Sequence, residues 1–210
     1  RILAEYPFIP SFRKKKLEKY LDIEGIENLK KIKDSGKPSV FISGHFNNFE
    51  LMAMLIEREG IDLAAVYRPL NNKFLNLIME YLREKYICRY QIKKGLKGVK
   101  ESLTFFKKGK SLAIMIDQRV SEGIDSKFFG INAFTTTIPA QFVQKFGCII
   151  QPVYIRRIDG VNFKILFDEQ ISFEKNQSIE IITEKLNKWL EKKIVQSPDQ
   201  WIWTHNRWKR

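Results

Sequence analysis

The chain carries two histidines in 210 residues, and one of them, His45, stands five positions before Glu50 in the stretch FISGHFNNFE (41–50). An apolar run leads into the imidazole, and helix-forming residues follow the carboxylate. Where a strand end passes into a helix start the chain reverses, so a carboxylate in the first helical turn can fold back onto the ring. Glu50 would then hold one ring N–H, fix the tautomer and stabilise the imidazolium, leaving the other nitrogen to take a proton from an attacking hydroxyl. That supplies a base and its orienter without a nucleophile. Ser43 lies two residues upstream and no GxSxG elbow occurs, so the attacking group is a substrate alcohol and no covalent acyl-enzyme is expected. The same stretch also reads as a helix cap, with Asn47 at the N-cap and Glu50 closing a capping box. Spacing alone does not separate the two readings.

The elements around this stretch alternate. PSVFIS (38–43), IDLAAVY (61–67), YICRYQI (86–92) and SLAIMIDQ (111–118) read as strands,. Helices are expected over 48–60, closed by Gly60, over 71–86, over 98–109 and over 138–146, closed by Gly147,. In the second of these, Phe74, Ile78, Tyr81 and Leu82 form the apolar stripe of an amphipathic helix. Residues 119–134 read as a loop. Two long strands follow around Asp159-Gly160, a strong hairpin signal, and then a helix over about 178–195 with Ile179, Ile182, Leu186, Trp189 and Leu190 on one stripe,. The first 22 residues are basic and mixed, and FRKKKLEKY within them reads as a solvated helix face or as a contact for an anionic surface. The expected fold is α/β: a mostly parallel mixed central sheet, helices on both faces, and a late β-hairpin. In such sheets active groups collect beyond the carboxyl ends of the strands, and both His45 and Asp117 fall there.

Composition bounds the rest. At 210 residues, with 44% hydrophobic content and 16 phenylalanines, the chain suits one domain burying roughly 70% of its unfolded surface. A formal net charge of +13 favours polyanionic partners: nucleic acid, an anionic leaflet or an acidic substrate. Nucleic acid is the weakest of these, since no RNP1 run, zinc finger or basic-region heptad occurs and the charge is dispersed. Cys88 and Cys148 lack CxxC spacing, which suits buried thiols in a reducing compartment better than a metal or redox site. No apolar run approaches the roughly 18 residues that span a bilayer.

His-x-x-x-x-Glu after a β run is similar to the late acyltransferases of bacterial lipid A biosynthesis, which carry a GHxGNWE-like motif there. Further blocks resemble that family in order across residues 24–209: YRPLNN (67–72), Arg83 in the next helix, IDQ (116–118) with FFG (128–130) and TTT (135–137), and PDQWIWTHNRWK (198–209). Asn47 and Phe49 depart from its usual Gly and Trp. The resemblance implies fatty acyl transfer from an acyl-carrier-protein or CoA thioester to a hydroxyl of a membrane glycolipid, a lipid A precursor, at the cytoplasmic face of the inner membrane. It also implies a membrane helix ahead of residue 1, and it calls for no cofactor and no metal.

By that resemblance His45, Glu50, Arg83 and Asp117 are the catalytic set, with Arg83 steadying the oxyanion. Arg68, Asn71, Gln118 and Thr136 are the substrate-binding set. Plainer roles stand beside these. Arg83 can be a solvated charge on its helix and Asp117 a structural ion pair. Arg68 can pin the turn before Pro69, and Thr135, Thr136 and Thr137 can cap a helix. His205, among three tryptophans, reads as a structural histidine. A glycerophospholipid acyltransferase would carry His-x-x-x-x-Asp and a Phe-Pro-Glu-Gly segment, and neither is present. Other acceptors for this same family (phospholipid, mannolipid or aminolipid) remain open.

Overall fold

The β-branched and aromatic runs do become strands, and their order in the sheet decides where the site falls. A computed structural model describes residues 2–174 and 176–209. Two short helices, α1 (Ile2–Glu5) and α2 (Ile9–Arg13), open the chain. Then follow β1 (Leu21–Glu24), α3 (Ile26–Ser35), β2 (Val40–Ser43), α4 (Glu50–Arg58), β3 (Leu63–Tyr67), α5 (Lys73–Tyr86), β4 (Tyr90–Lys93), α6 (Leu96–Lys107) and β5 (Ser111–Met115). The second half runs β6 (Ile124–Phe128), β7 (Ile131–Thr135), α7 (Ile138–Phe146), β8 (Ile150–Asp159), β9 (Asn162–Phe167) and α8 (Ile179–Gln196).

The main sheet has the order β1-β9-β8-β2-β5-β3-β4, with β6 and β7 as a separate antiparallel pair. Every neighbouring pair in the main sheet is parallel except β8–β9. The expected mixed, mostly parallel α/β architecture is what forms. Right-handed crossovers place α4 and α5 on one face and α6 and α7 on the other. Accordingly α2 packs on both α4 and α5, while Phe106 of α6 meets Phe142 of α7 edge to face at 5.0 Å. Central strands buried on both faces are mostly apolar: Val40, Phe41, Ile42, Leu112, Ile150 and Ile155 are buried, with Ser43, Ser111 and Gln151 as buried polar members, as parallel sheets favour.

Three local expectations change. Residues 119–134 are not a plain loop. They build most of the β6–β7 hairpin, which α8 covers: Asn187 Nδ2 donates to Ser126 Oγ at 3.1 Å and to the Lys127 carbonyl at 3.2 Å. The run FRKKKLEKY is not a helix face, because α2 ends at Arg13 and turns follow to Tyr20. The apolar stripe of α5 points outward, with Phe74, Ile78 and Tyr81 82%, 56% and 56% exposed, and only Leu82 of the four packs on the core.

Candidate active site

β2 and β5 are adjacent and parallel, with Ser43 opposite Met115. Residues just beyond their carboxyl ends therefore share one edge. His45 follows β2 by two positions and Asp117 follows β5 by two. The turn between β2 and His45 runs through Gly44, where an added Cβ would sit 2.9 Å from Leu190 Cδ1 and 3.4 Å from Asp117 Cβ. A bare backbone at 44 lets the two loops close on each other.

They close through one carboxylate. His45 Nδ1 lies 2.8 Å from Asp117 Oδ1, and the His45 backbone N–H donates to Asp117 Oδ2 at 2.7 Å. Trp201 Nε1 donates to the same Oδ2 at 2.9 Å. Burial alone would raise the Asp117 pKa, but the hydrogen bond and charge of His45 outweigh it and the carboxyl is held below its usual value,. An ionised carboxylate can only accept, so Nδ1 carries a proton, and in the neutral ring the lone pair is on Nε2. Nε2 has no hydrogen-bond partner among the described residues. The Phe49 ring meets the imidazole edge to face at 4.9 Å and restricts its tilt,.

Glu50 does not take the role its spacing suggested. Its Oε1 accepts from Arg83 Nε at 2.8 Å and Nη2 at 2.6 Å, and from the Tyr6 hydroxyl. The reason is local: α4 begins at Glu50 itself, and its side chain projects toward α5 and the N-terminal segment. The capping box does not form either. Phe49 is the N-cap with no side-chain hydrogen bond, and Asn47, at φ +38°, instead donates to Gln200 Oε1. The orienting carboxylate is Asp117, 72 residues away from His45.

Arg83 is neither solvated nor bare. Its side chain is 15% exposed and faces Glu50, 7% exposed. Burial works against the cation, yet Glu50 and Tyr6 raise its pKa, while burial and then the Glu50 charge push the Tyr6 phenol up. The Arg83 guanidinium also stands over the Tyr67 ring, 5.6 Å from its centroid.

His45, Glu50 and Arg83 line a cavity of about 490 Å³, and Arg68, Asn71, Gln118 and Thr136 line it too. Asp117 lies beneath it, 3% exposed. Apolar wall comes from Ala53, Val66, Ala113 and Ile138. His205 also reaches the cavity. Its Nε2 accepts from the Arg119 backbone N–H at 3.0 Å, and burial lowers its pKa. Thr137 is the N-cap of α7 without a side-chain cap bond. Thr135 instead receives Arg207 Nη2 at 2.6 Å.

Three contributors escaped the reading of the sequence: Tyr6, Trp201 and Arg207. Trp201 stands in the 198–209 block and pairs with Phe46 in a β-bridge, while Ile202 N–H donates to the His45 carbonyl at 3.1 Å. Arg207 is fully buried, donates to the Phe134 carbonyl at 2.7 Å, and burial lowers its pKa to about 10. Cys88 and Cys148 are buried free thiols pushed up to about 12 by desolvation, which makes both poor nucleophiles,.

The α/β sheet thus sets an imidazole–carboxylate pair at its strand ends, at the floor of a part-apolar cavity, and comparison with known proteins gives the family. The family profile for bacterial lipid A biosynthesis acyltransferases matches residues 1–210, and the chain belongs to that family. It is 23% identical over 203 residues to a lipid A biosynthesis palmitoleoyltransferase of Escherichia coli (strain K12), covering 92% of this chain and 63% of that protein. It is 22% identical over 201 residues to the lipid A biosynthesis lauroyltransferase of the same strain, covering 93% and 64%. The chain thus spans about 63% of the length of the curated relatives it matches. In fold it is similar to the crystal structure of the 1-acyl-sn-glycerophosphate acyltransferase of Thermotoga maritima. That TM-score is 0.53 at 13% identity, over 94% of this chain and 81% of that one.

Proposed function

We propose that the protein transfers a fatty acyl chain from an acyl-carrier-protein or CoA thioester to a hydroxyl of a membrane glycolipid, a lipid A precursor. One observation carries this reading: His45 is bound at Nδ1 by a buried carboxylate while Nε2 stays unengaged on a residue lining the cavity. Nε2 takes the proton of the acceptor hydroxyl as its oxygen forms a bond to the thioester carbonyl carbon. Asp117 stabilises the imidazolium. The tetrahedral intermediate then expels the thiolate, which receives the proton back from Nε2, leaving an ester and a free thiol.

Negative charge gathers on the former carbonyl oxygen in between. Arg83 lines the cavity with Glu50 holding its Nε and Nη2 edge, which suits an oxyanion donor worth about 2.7–4 kcal/mol,. Glu50 in this reading positions Arg83 rather than His45. The place of action is the cytoplasmic face of the inner membrane. No helix among the described residues is long and apolar enough to cross a membrane, and attachment by these residues is peripheral.

The test is mass spectrometry of lipids from cells lacking or overexpressing the protein, with transfer assayed for His45→Ala and Asp117→Asn. Each substitution is expected to lower turnover at least ~10²-fold with the fold intact. A folded His45→Ala protein that turns over near normally would exclude His45 as the base, and an unchanged lipid profile would exclude the glycolipid acceptor.

A further inference from the structure

Helix α5 carries apolar side chains on two sides, and folding uses one. Met79, Leu82 and Tyr86 pack on the core while Arg83 reaches Glu50. On the opposite side Phe74, Leu77, Ile78 and Tyr81, spaced i, i+3, i+4, i+7, form a ridge at 82%, 65%, 56% and 56% exposure,. Leu75 beside them is 53% exposed. Single exposed leucines are ordinary, but a contiguous row marks an interaction face.

The row starts at the cavity. Leu70 lines the cavity, is 41% exposed, and its N–H donates to Asn76 Oδ1 at 2.8 Å, which ties the lip to the first turns of α5. On the neighbouring strand end, Leu96 is 73% exposed beside Lys94, whose N–H donates to the Tyr67 carbonyl at 2.8 Å. Arg68 and Lys94 line the cavity with Leu70, Lys73 opens α5, Lys85 reaches Tyr81, and Lys97 follows Leu96 at the start of α6. Of the acids on α5, Glu80 is held by Tyr67 and Lys93, which leaves Glu84. The ridge itself bears one polar group, the Tyr81 hydroxyl, which accepts from Lys85 Nζ at 2.6 Å. An apolar ridge with a cationic rim is the pattern of a helix lying in the interface of an anionic bilayer.

We infer that the outer ridge of α5, with Leu70 and Leu96, inserts into an anionic leaflet and sets the cavity mouth at the membrane surface. Side chains of Arg68, Lys73, Lys85, Lys94 and Lys97 meet phosphate headgroups there, and a lipid acceptor reaches His45 without leaving the leaflet. The inference rests on the acyl-transfer reading for its purpose, and its test does not.

The chain is floated with vesicles of phosphatidylcholine alone and with added phosphatidylglycerol, without substrate, alongside Phe74→Ser/Ile78→Ser and a control on α8, Ile181→Ser/Val195→Ser. The expected result is binding to anionic vesicles at low salt, at least about tenfold weaker for the α5 variant and unchanged for the control. Lys73→Gln/Lys97→Gln should weaken binding to the anionic vesicles alone and flatten its salt dependence. All four α5 and α8 positions are exposed, so circular dichroism and urea midpoints should match the parent. Vesicle binding that is absent, or equal in the α5 variant, overturns the inference. So does a defect confined to the KM of an acyl-carrier-protein thioester, or a dimer in the parent that the α5 variant loses. Intact flotation with no acyl transfer would count against the enzyme and leave the docking face standing.

Discussion

Glu50 and Arg83 face each other with side chains 7% and 15% exposed, so each is costly without the other. Removing the carboxylate alone leaves a guanidinium in a poorly hydrated place. Glu50→Ala should therefore lower the unfolding free energy by about 3–5 kcal/mol, read from urea denaturation. A loss under about 1 kcal/mol would mean that water replaces the partner. This residue also shows what the sequence could not say. The interval between His45 and Glu50 is short enough to be seen in the string, and it led to the wrong partner. The acid that holds His45 is 72 residues distant, and the indole that steadies it is 84 residues beyond that acid. Only the sheet order makes them neighbours. The cavity residues Arg68, Asn71, Gln118 and Thr136 were nevertheless legible, because each lies in a block whose wording resembled the family.

Most strands and helices of the α/β half are readable as apolar runs or amphipathic stripes, but α3 is not, and the strand expected over 86–92 begins only at Tyr90 because α5 continues to Tyr86. The exceptions had physical causes. β1 hides in a charged stretch, since Asp22 and Glu24 alternate with Leu21 and Ile23 on an edge strand that pairs only with β9. The β6–β7 pair is short, polar on one side, and depends on Asn187 of α8. Periodicity gives α5 as a helix, and its most hydrophobic side is the exposed one, while the side with Met79 and Arg83 faces the protein. α6 supplies a prediction whose sign decides it. Glycine to alanine inside a helix ordinarily gains up to about 1 kcal/mol. At Gly98 the new Cβ would stand 1.9 Å from the Lys93 carbonyl oxygen of β4. Gly98→Ala should instead destabilise by about 1–3 kcal/mol as α6 is pushed off the sheet, and a raised melting temperature would show that α6 rides higher than described.

Stability of the whole molecule should carry an acid limb set by its paired carboxyls. Asp117 is held low as described. At Asp168, burial raises the pKa, but hydrogen bonds from Lys193 and Trp189 and the Lys193 charge bring it below the usual value. A carboxyl whose folded value is depressed stabilises the fold above its unfolded value, about 3.9, and that contribution is lost as pH falls below it. The urea midpoint should thus decline below about pH 4, and Asp168→Asn should shrink that decline, having already lost the contribution at neutral pH. An identical acid limb in the variant would remove Asp168 from the account.

The meeting of residues 45, 117 and 201 at one carboxylate has a consequence for chains that are nicked, misfolded or only partly assembled. No contiguous piece holds the base, its acid and the indole together. On the acyl-transfer reading proposed above, a molecule whose strand ends have not come together lacks the held imidazole and would not spend a thioester on water,. Competence on that reading arrives only when the ends of β2 and β5 and the segment around Trp201 have met, which would keep acyl groups out of the reach of half-made copies.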